Sequence, residues 1–196
     1  MRNLIVPLVV LMVSCTSSQP PDAPPPYVDP PDVATEGFVT TVSAVDVPMG
    51  VEDFRAFLLA NPFIDYLEPT ETIFPPRGEE VLKGEWLTVG AVRRLQLADG
   101  HYVIERVLEN EPEIFRYQVW VFTNDAARGV EQIVGEQRFI RLDDNLTRFE
   151  WSYKVKPASF ITRPFVKRTQ PELQRFMDGG TQALAAAVNE TVAANP

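Results

Sequence analysis

The sequence predicts an α+β domain in which a curved antiparallel sheet of six to seven strands packs on a long C-terminal helix. Three observations predict it. Residues 88–155 alternate apolar and polar side chains with a period of two and are divided by hairpin turns. A single β-branched segment followed by two short helical segments precedes this region, and helical spacing returns after it.

The predicted domain begins with a strand at residues 38–47 and a helix at residues 51–60. In the helix, Val51, Phe54 and Phe57 recur at helical spacing. The Asn-Pro pair at 61–62 predicts a stop and a restart, so a second short helix is expected over residues 63–67.

Five consecutive antiparallel strands are predicted next, at residues 88–97, 101–108, 114–122, 133–142 and 146–155. Asp99-Gly100 marks the hairpin between the first two, because Asp-Gly suits a tight turn. A further short strand is expected between Thr70 and Leu82, where the pattern does not set the register.

The C-terminal helix is expected to begin at Pro171, since proline suits a first helical position. Apolar residues then recur near helical spacing: Leu173, Phe176, Met177, Ala183, Leu184, Ala187 and Val188. Gly179-Gly180 predicts a kink or the close approach of another backbone. Residues 160–167 are expected to form a loop or short helix broken by Pro164.

The first fourteen residues have the layout of a secretory signal peptide, with Arg2, an apolar run over residues 4–13 and a small residue at 14. Leu11-Met12-Val13-Ser14-Cys15 resembles a bacterial lipobox. The resemblance implies cleavage before Cys15, diacylglycerol on its sulfur and acylation of the new amino group. Thr16 in place of Asp implies sorting to the outer membrane, facing the periplasm. The alternative is an ordinary secretory signal in which Cys15 is incidental.

The sequence therefore divides into a signal peptide (1–14), a lipidated Cys with a Pro-rich tether (15–36) and a folded domain (37–196). Residues 16–36 are rich in Pro, Asp and Ser, so we expect a disordered, semi-rigid spacer reaching up to ~60 Å. The alternative is a ligand for a proline-binding domain. The net charge of −9 disfavours nucleic acid and anionic membrane surfaces as partners.

The order of these elements resembles the helix-grip fold of the START/SRPBCC superfamily, which includes pollen-allergen and polyketide cyclase types. The resemblance rests on residues 45–54, on the hairpin of residues 89–112 and on Phe115-Arg116-Tyr117-Gln118-Val119, and it covers residues 38–192. It implies a cavity between the sheet and the long helix for a sterol, lipid, polyketide or other apolar ligand. Some members of the superfamily are enzymes, and many only bind.

Alternation places two aromatic rows on the concave face, namely Phe149, Trp151, Tyr153 and Val155 on the last strand and Phe115, Tyr117, Val119 and Val121 on the third of the five. Core packing alone explains both rows, and only the resemblance adds a cavity. The candidate ligand-binding residues are Tyr117, Val119, Phe149, Trp151, Tyr153, Phe176 and Met177.

The sequence contains few residues that could act as a nucleophile, acid or base in catalysis. The only His, His101, is expected to be exposed at a turn, and acylation of Cys15 would leave no thiol. We therefore expect no catalytic residue, metal or cofactor. Glu105, Glu109, Glu136 and Glu150 could act as acids or bases inside a cavity. The alternative is solvation or ion pairing with Arg93, Arg106, Arg138 and Arg148.

These observations favour a non-enzymatic carrier of an apolar small molecule or lipid, tethered to the cell envelope through Cys15. A second hypothesis is an envelope scaffold with a filled core and an unknown protein partner. A third is a cyclase-like or hydrolytic enzyme that uses a cavity carboxylate.

Overall fold

The computed structural model describes residues 19–194, so the signal peptide and Cys15 lie outside the described residues. The elements in chain order are β1 (Val39–Val47), α1 (Val51–Ala60), a 3-10 helix (Phe63–Tyr66), β2 (Pro76–Lys83), β3 (Val92–Leu97), β4 (Tyr102–Glu111), β5 (Ile114–Trp120), a second 3-10 helix (Asp125–Ala127), β6 (Val130–Asp143), β7 (Leu146–Pro157) and α2 (Arg163–Ala194).

The strands form one antiparallel sheet in the order β1-β7-β6-β5-β4-β3-β2. Consecutive strands from β2 to β7 are neighbours, and β1 closes the far edge by pairing with β7 along its whole length, from Val39 opposite Val155 to Val47 opposite Thr147. The α+β prediction and its strand-helix-sheet-helix order are confirmed.

The strand expected between Thr70 and Leu82 is β2, and its register places Glu79 opposite Leu95 and Val81 opposite Arg93. Its pattern was indistinct because β2 is an edge strand with mostly exposed polar side chains and two register shifts. The strand predicted from residue 88 begins only at Val92, because left-handed backbone at Leu87 and Gly90 keeps the preceding residues in a loop.

The prediction that the last helix begins at Pro171 is wrong, because α2 begins at Arg163 and includes residues that were expected to form a loop. Pro164 lies in the first helical turn, where its missing N–H leaves no hydrogen bond unmade. Pro171 lies inside the helix, a position that costs ~3 kcal/mol. Packing of α2 against the sheet offsets this local cost.

The N-terminal half of α2 lies along β1 and is fastened to its main chain. Gln170 and Gln174 donate through their amide nitrogens to the carbonyls of Thr40 and Val42, both at 2.8 Å. One turn further, the Ser43 hydroxyl donates to the Asp178 carboxylate at 2.6 Å. These bonds occupy the outer edge of the sheet, which would otherwise be open to pairing with another strand.

The concave face of the sheet carries the main core, which α1, the first 3-10 helix and α2 cover. Phe54 packs edge-on against Phe139 and Phe149, each at 5.8 Å between ring centroids. At Gly180 of α2 an added Cβ would lie 2.4 Å from the Leu67 side chain, so the glycine permits a close approach here. The group that approaches Gly180 is a side chain and not the backbone that was expected, and Gly179 has open space around it.

The convex face is covered by residues 19–36, which we call the Pro-rich strap. Trp120 donates through its indole N–H to the Val28 carbonyl at 3.0 Å, and the Gln118 amide donates to the Pro31 carbonyl at 3.1 Å. Gln132 both donates to the Asp32 carbonyl at 2.9 Å and accepts from the Ala34 N–H at 3.2 Å.

The strap differs from the disordered spacer that its composition indicates. Its proline-rich main chain lacks many N–H donors but keeps its carbonyls, and three buried side chains on β5 and β6 supply the matching donors. The convex face holds the fully buried Gln118 and Gln132, and an unpartnered buried amide is costly. Strap and sheet therefore satisfy each other's hydrogen bonds.

No helix within residues 19–194 combines the length and apolar character needed to cross a bilayer.

Replacing Gln132→Leu should loosen the strap, because it removes the donor to Asp32 and the acceptor for Ala34. We expect faster amide hydrogen exchange at Ala34 and faster proteolysis near Tyr27. The control is Gln174→Leu, which removes a comparable side-chain bond on the concave side. Equal exchange at Ala34 in both variants would contradict this account of the strap.

Candidate ligand cavity

A cavity of about 190 Å³ lies between the concave face of the sheet, the segment around the first 3-10 helix, and α2. Its lining is mostly apolar. The sheet contributes Leu95, Leu97, Val103, Phe115, Tyr117, Val119, Ile133, Trp151, Tyr153 and Val155, the helical layer contributes Phe63, Ile64, Leu67, Leu173 and Phe176, and the 3-10 connection contributes Thr72, Ile73 and Phe74.

Five of the predicted ligand-binding residues line this cavity, namely Tyr117, Val119, Trp151, Tyr153 and Phe176. The other two do not. Phe149 and Met177 are fully buried in the core and belong to the packing that supports the cavity wall. Their positions agree with the core-packing interpretation of the aromatic rows.

Tyr117, Trp151 and Tyr153 form an aromatic wall of the cavity. Their packing depends on a glycine, which has no side chain, in the middle of β6. Gly135 pairs with Tyr117 on one side and Tyr153 on the other. A Cβ at Gly135 would lie 2.2 Å from the Tyr117 ring, so the ring lies directly over this glycine. In that position the Tyr117 hydroxyl accepts a hydrogen bond from the Trp151 indole N–H at 3.1 Å.

Trp151 is the centre of the wall. Its ring packs edge-on against Phe63 at 4.8 Å and against Tyr153 at 4.9 Å between centroids. Burial raises the pKa of both Tyr117 and Tyr153 hydroxyls above the ordinary value, so both are neutral across the physiological range. The wall therefore offers aromatic surface with neutral hydroxyl groups, and no charge of its own.

One buried ion pair lies on the neighbouring strands of the same sheet, with Arg93 on β3 opposite Glu105 on β4, which is in turn opposite Val119. Arg93 donates through Nε to the Glu105 carboxylate at 2.5 Å, and its Nη1 contacts Glu79 at 2.6 Å. The guanidinium also stacks over the Trp86 ring at 3.6 Å. Burial raises the pKa of the Glu105 carboxyl, although the Arg93 guanidinium opposes the shift. Glu105 is thus the candidate carboxylate that faces the cavity, and it is paired.

The remaining candidate carboxylates lie elsewhere. Glu136 contacts Arg138, Lys154 and Arg116 away from the cavity, and Glu109 pairs with Arg116 at 3.1 Å. Glu150 is half-buried and does not line the cavity. Two of the four expected arginine partners bond differently. Arg106 donates to Gln118, and Arg148 pairs with Asp46.

The expectation that His101 is exposed is wrong, because only 4% of its surface is accessible. Thr123 from the β5–β6 loop lies 3.1 Å from its Nδ1, and Pro20 of the strap packs on the adjacent Gly100. The sequence around the turn does not indicate these contacts, because Thr123 and Pro20 are distant from His101 in the sequence. His101 does not line the inner cavity. Within residues 19–194 no group of three or more His, Cys, Asp and Glu side chains is placed to hold a metal ion.

The placement of Val121 on the concave face is also wrong. Its backbone is left-handed, with φ 56°, which ends the alternation of β5. The side chain packs with Val92, Ile104 and Trp120 in a separate cluster instead. A β-branched residue in this conformation is unusual, so the alternating pattern could not indicate the change of face.

Sequence reasoning missed the lid of the cavity, formed by residues 67–75 between the first 3-10 helix and β2. Glu172 of α2 fixes it by accepting hydrogen bonds from the Thr70 hydroxyl at 2.8 Å and the Thr72 N–H at 2.6 Å. Partial burial opposes ionisation of Glu172, but these bonds lower its pKa overall. The sequence predicted only a short strand somewhere between Thr70 and Leu82, and the strand β2 begins at Pro76, after this lid.

A second, wider pocket of about 490 Å³ adjoins the cavity between α1, the first 3-10 helix and β2. The two share Phe63, Ile64, Arg93 and Phe115 as lining residues. Displacement of these side chains would join the two spaces, so a ligand larger than the inner cavity has a direction in which to extend.

Solved structures with similar architecture are numerous. Norcoclaurine synthase from Thalictrum flavum, solved with dopamine and hydroxybenzaldehyde, has a TM-score of 0.56 at 18% identity over 82% of this chain and 90% of its own. The ZhuI aromatase/cyclase from a Streptomyces species has 0.55 at 18% identity, covering 81% and 98%. Ara h 8.0201 has 0.60 at 15% identity, covering 79% and 99%.

The chain has the helix-grip fold. The sequence resemblance predicted this fold, and the seven-stranded sheet with its long C-terminal helix confirms it. No protein-family model matches the sequence, and a search of curated protein sequences finds no match. The helix-grip neighbours include enzymes, as two of their names state, so the fold alone leaves open whether this chain catalyses a reaction.

Replacing Gly135→Ala should displace the Tyr117 ring and break its hydrogen bond with Trp151, because the new Cβ would overlap the ring. We expect a loss of about 1–3 kcal/mol in the free energy of unfolding and a change in tryptophan fluorescence. Gly179→Ala is the matched control. It has open space around it and should be neutral or stabilising. Equal behaviour of the two variants would contradict the proposed wall geometry.

Proposed function

We propose that this protein binds a small apolar ligand with an aromatic ring in the cavity between its sheet and α2, and holds that ligand without chemical change. The observation that carries the proposal is the aromatic surface of Trp151, Tyr117 and Tyr153, which lines a cavity of about 190 Å³ together with the buried Arg93–Glu105 pair.

The size of the cavity restricts the ligand. An apolar cavity of about 150 Å³ accommodates benzene, so 190 Å³ suits a compound of one or two rings. A sterol or a diacyl lipid would have to extend into the adjoining pocket of about 490 Å³. The ligand class is therefore narrower than the general apolar class that the sequence suggested.

The polar groups restrict its orientation. The lining includes two neutral tyrosine hydroxyls and the Arg93 guanidinium, which is paired with Glu105. A ring bearing one hydroxyl or carbonyl group could meet either set while its ring packs on Trp151. Norcoclaurine synthase, with the same fold, was solved with dopamine and hydroxybenzaldehyde, which are both single aromatic rings that bear hydroxyl groups. That neighbour supports the ligand class by analogy only.

The cavity argues against a scaffold with a filled core, because apolar space that the side chains leave unfilled costs stability and a bound apolar ligand would offset that cost. The ion pair argues against the cyclase-like alternative. An acid or base needs a carboxylate that can exchange a proton with its ligand, whereas Glu105 is held by Arg93 at 2.5 Å. Recovery of a chemically altered ligand after incubation would favour the enzyme alternative instead.

Binding can be tested with 2-naphthol as the probe in calorimetric titrations. Val119→Phe should weaken binding at least about tenfold, because the added ring would fill the cavity at its centre. Val42→Phe is the matched control, since Val42 is exposed on β1. The unfolding midpoint of each variant in urea shows that it is folded. Equal affinity of the two variants, or absence of binding to the parent, would contradict the proposal.

We further propose that Cys15 carries the lipid anchor that its lipobox-like context indicates, and that the domain is held at an outer membrane facing the periplasm. Cys15→Ser should abolish metabolic labelling by a fatty-acid analogue and globomycin-sensitive processing. Ser14→Ala keeps a small residue before the Cys and should be labelled normally. Labelling of the Cys15→Ser variant would overturn this part of the proposal.

A further inference from the structure

Three large apolar side chains are exposed together where β7 leads into α2. Phe160, Ile161 and Phe165 have 87%, 65% and 64% of their surfaces accessible. We call these three residues the apolar tip. Clustered exposed side chains of this size indicate an interaction surface, whereas single ones do not.

The apolar tip is held outward by an ordered loop. The Ser159 N–H donates to the Thr162 hydroxyl at 3.0 Å, and that hydroxyl in turn donates to the Ser159 carbonyl at 3.0 Å. Arg163 anchors the loop to β1 by donating to the Gly37 carbonyl at 2.8 Å. The loop therefore fixes the direction of the tip, and the side chains do not fold back onto the core.

The chain enters the described structure beside this tip. Gln19 and Pro20 line the same surface depression as Thr162 and Phe165. Cys15 precedes Gln19 by four residues, which span at most about 14 Å when fully extended. Because the strap runs along the convex face from here, a lipid on Cys15 would hold this end of the domain, and no other, next to the bilayer.

Two further observations agree with an orientation in which this end of the domain faces the bilayer: the basic residues near the tip and the position of the cavity. Residues 158–171 contain Arg163, Lys167 and Arg168 but no acidic residue, although the whole chain has a net charge of −9. Lys167 and Arg168 are exposed one turn beyond the tip, where they could meet lipid phosphates. Residues that line both the depression and the inner cavity are Thr72, Phe74, Asn124, Ala126 and Thr169.

We propose that the apolar tip inserts among the headgroups of a lipid bilayer, with the cavity opening directly above the membrane. An apolar ligand would then pass between bilayer and cavity without crossing water. The route for the ligand rests on the proposed binding function, whereas insertion of the tip can be tested without it. The general charge argument against anionic membranes concerns the whole chain, whereas residues 158–171 at the tip carry three basic residues and no acidic one. The acidic residues Glu71, Asp99, Asp125 and Glu172 line the adjoining depression instead of belonging to the tip.

The test uses residues 16–196, which keep every residue that the structure describes and lack the apolar leader and Cys15. Binding is measured by cosedimentation with vesicles of phosphatidylethanolamine and phosphatidylglycerol. Phe160→Ser, Ile161→Ser and Phe165→Ser together should weaken vesicle binding at least about tenfold. The matched control carries Leu59→Ser, Val89→Ser and Leu142→Ser, which change exposed apolar residues at the opposite end of the sheet.

A positional measurement completes the test. Tryptophan placed by Phe165→Trp should be quenched by brominated lipids, and tryptophan placed by Leu59→Trp should not. Equal quenching at both positions, or vesicle binding that the tip substitutions leave unchanged, would overturn the inference. So would a dimer in sedimentation velocity that only the tip substitutions dissociate, because it would assign the tip to a second copy of the chain.

The same tip variant separates this inference from the binding function. Its affinity for 2-naphthol in solution should equal that of the parent, because the tip residues Phe160 and Ile161 do not line the cavity. In the parent protein, 2-naphthol binding without vesicle binding would overturn the membrane orientation alone. Vesicle binding without 2-naphthol binding overturns the proposed ligand and leaves the orientation standing.

Discussion

The concave side of this protein depends on the hydrogen bond between Trp151 and Tyr117, which joins β7 to β5 across the intervening β6. The bond exists only because Gly135 leaves room for the Tyr117 ring. It holds two large side chains upright at the sheet instead of letting them collapse onto α2. A cavity remains between the sheet and the helix because these rings are supported from the side.

The two faces of the sheet are completed in different ways. On the concave face, α2 buries aromatic surface and fastens the exposed edge of β1 through glutamine side chains. On the convex face, buried glutamines meet the carbonyls of the Pro-rich strap. Each cover is held by side-chain donors and main-chain acceptors, which suits segments that cannot add a regular strand.

Much of the architecture is predictable from local signals. The period-two alternation and the hairpin turns predict β4 to β7 closely, and helical spacing predicts α1. The late start of β3 and the face of Val121 follow from left-handed backbone, whereas the other failures concern long-range contacts. Pro171 is tolerated because α2 packs on β1, and His101 is buried by the strap and the β5–β6 loop. The strap itself looks disordered by composition, because its partners lie far away in the sequence.

The candidate site could be predicted only in part, because local patterns do not show which side chains meet in the folded protein. Alternation places Tyr117, Trp151 and Tyr153 on the concave face, but it cannot distinguish Phe149, which is packed in the core, from a neighbour that lines a cavity. The lid of residues 67–75 and its fixation by Glu172 needed the tertiary structure. The ion pair of Arg93 and Glu105 was one of two alternatives until their separation was known.

The most direct test of the account is the location of a bound aromatic ring. Nuclear Overhauser effects between 2-naphthol and the methyl groups of the protein can be measured on the complex in solution. The account predicts contacts with Leu95, Val103 and Val119 together with the Trp151 indole. Contacts confined to the exposed Ile161, with none to the cavity methyl groups, would contradict it.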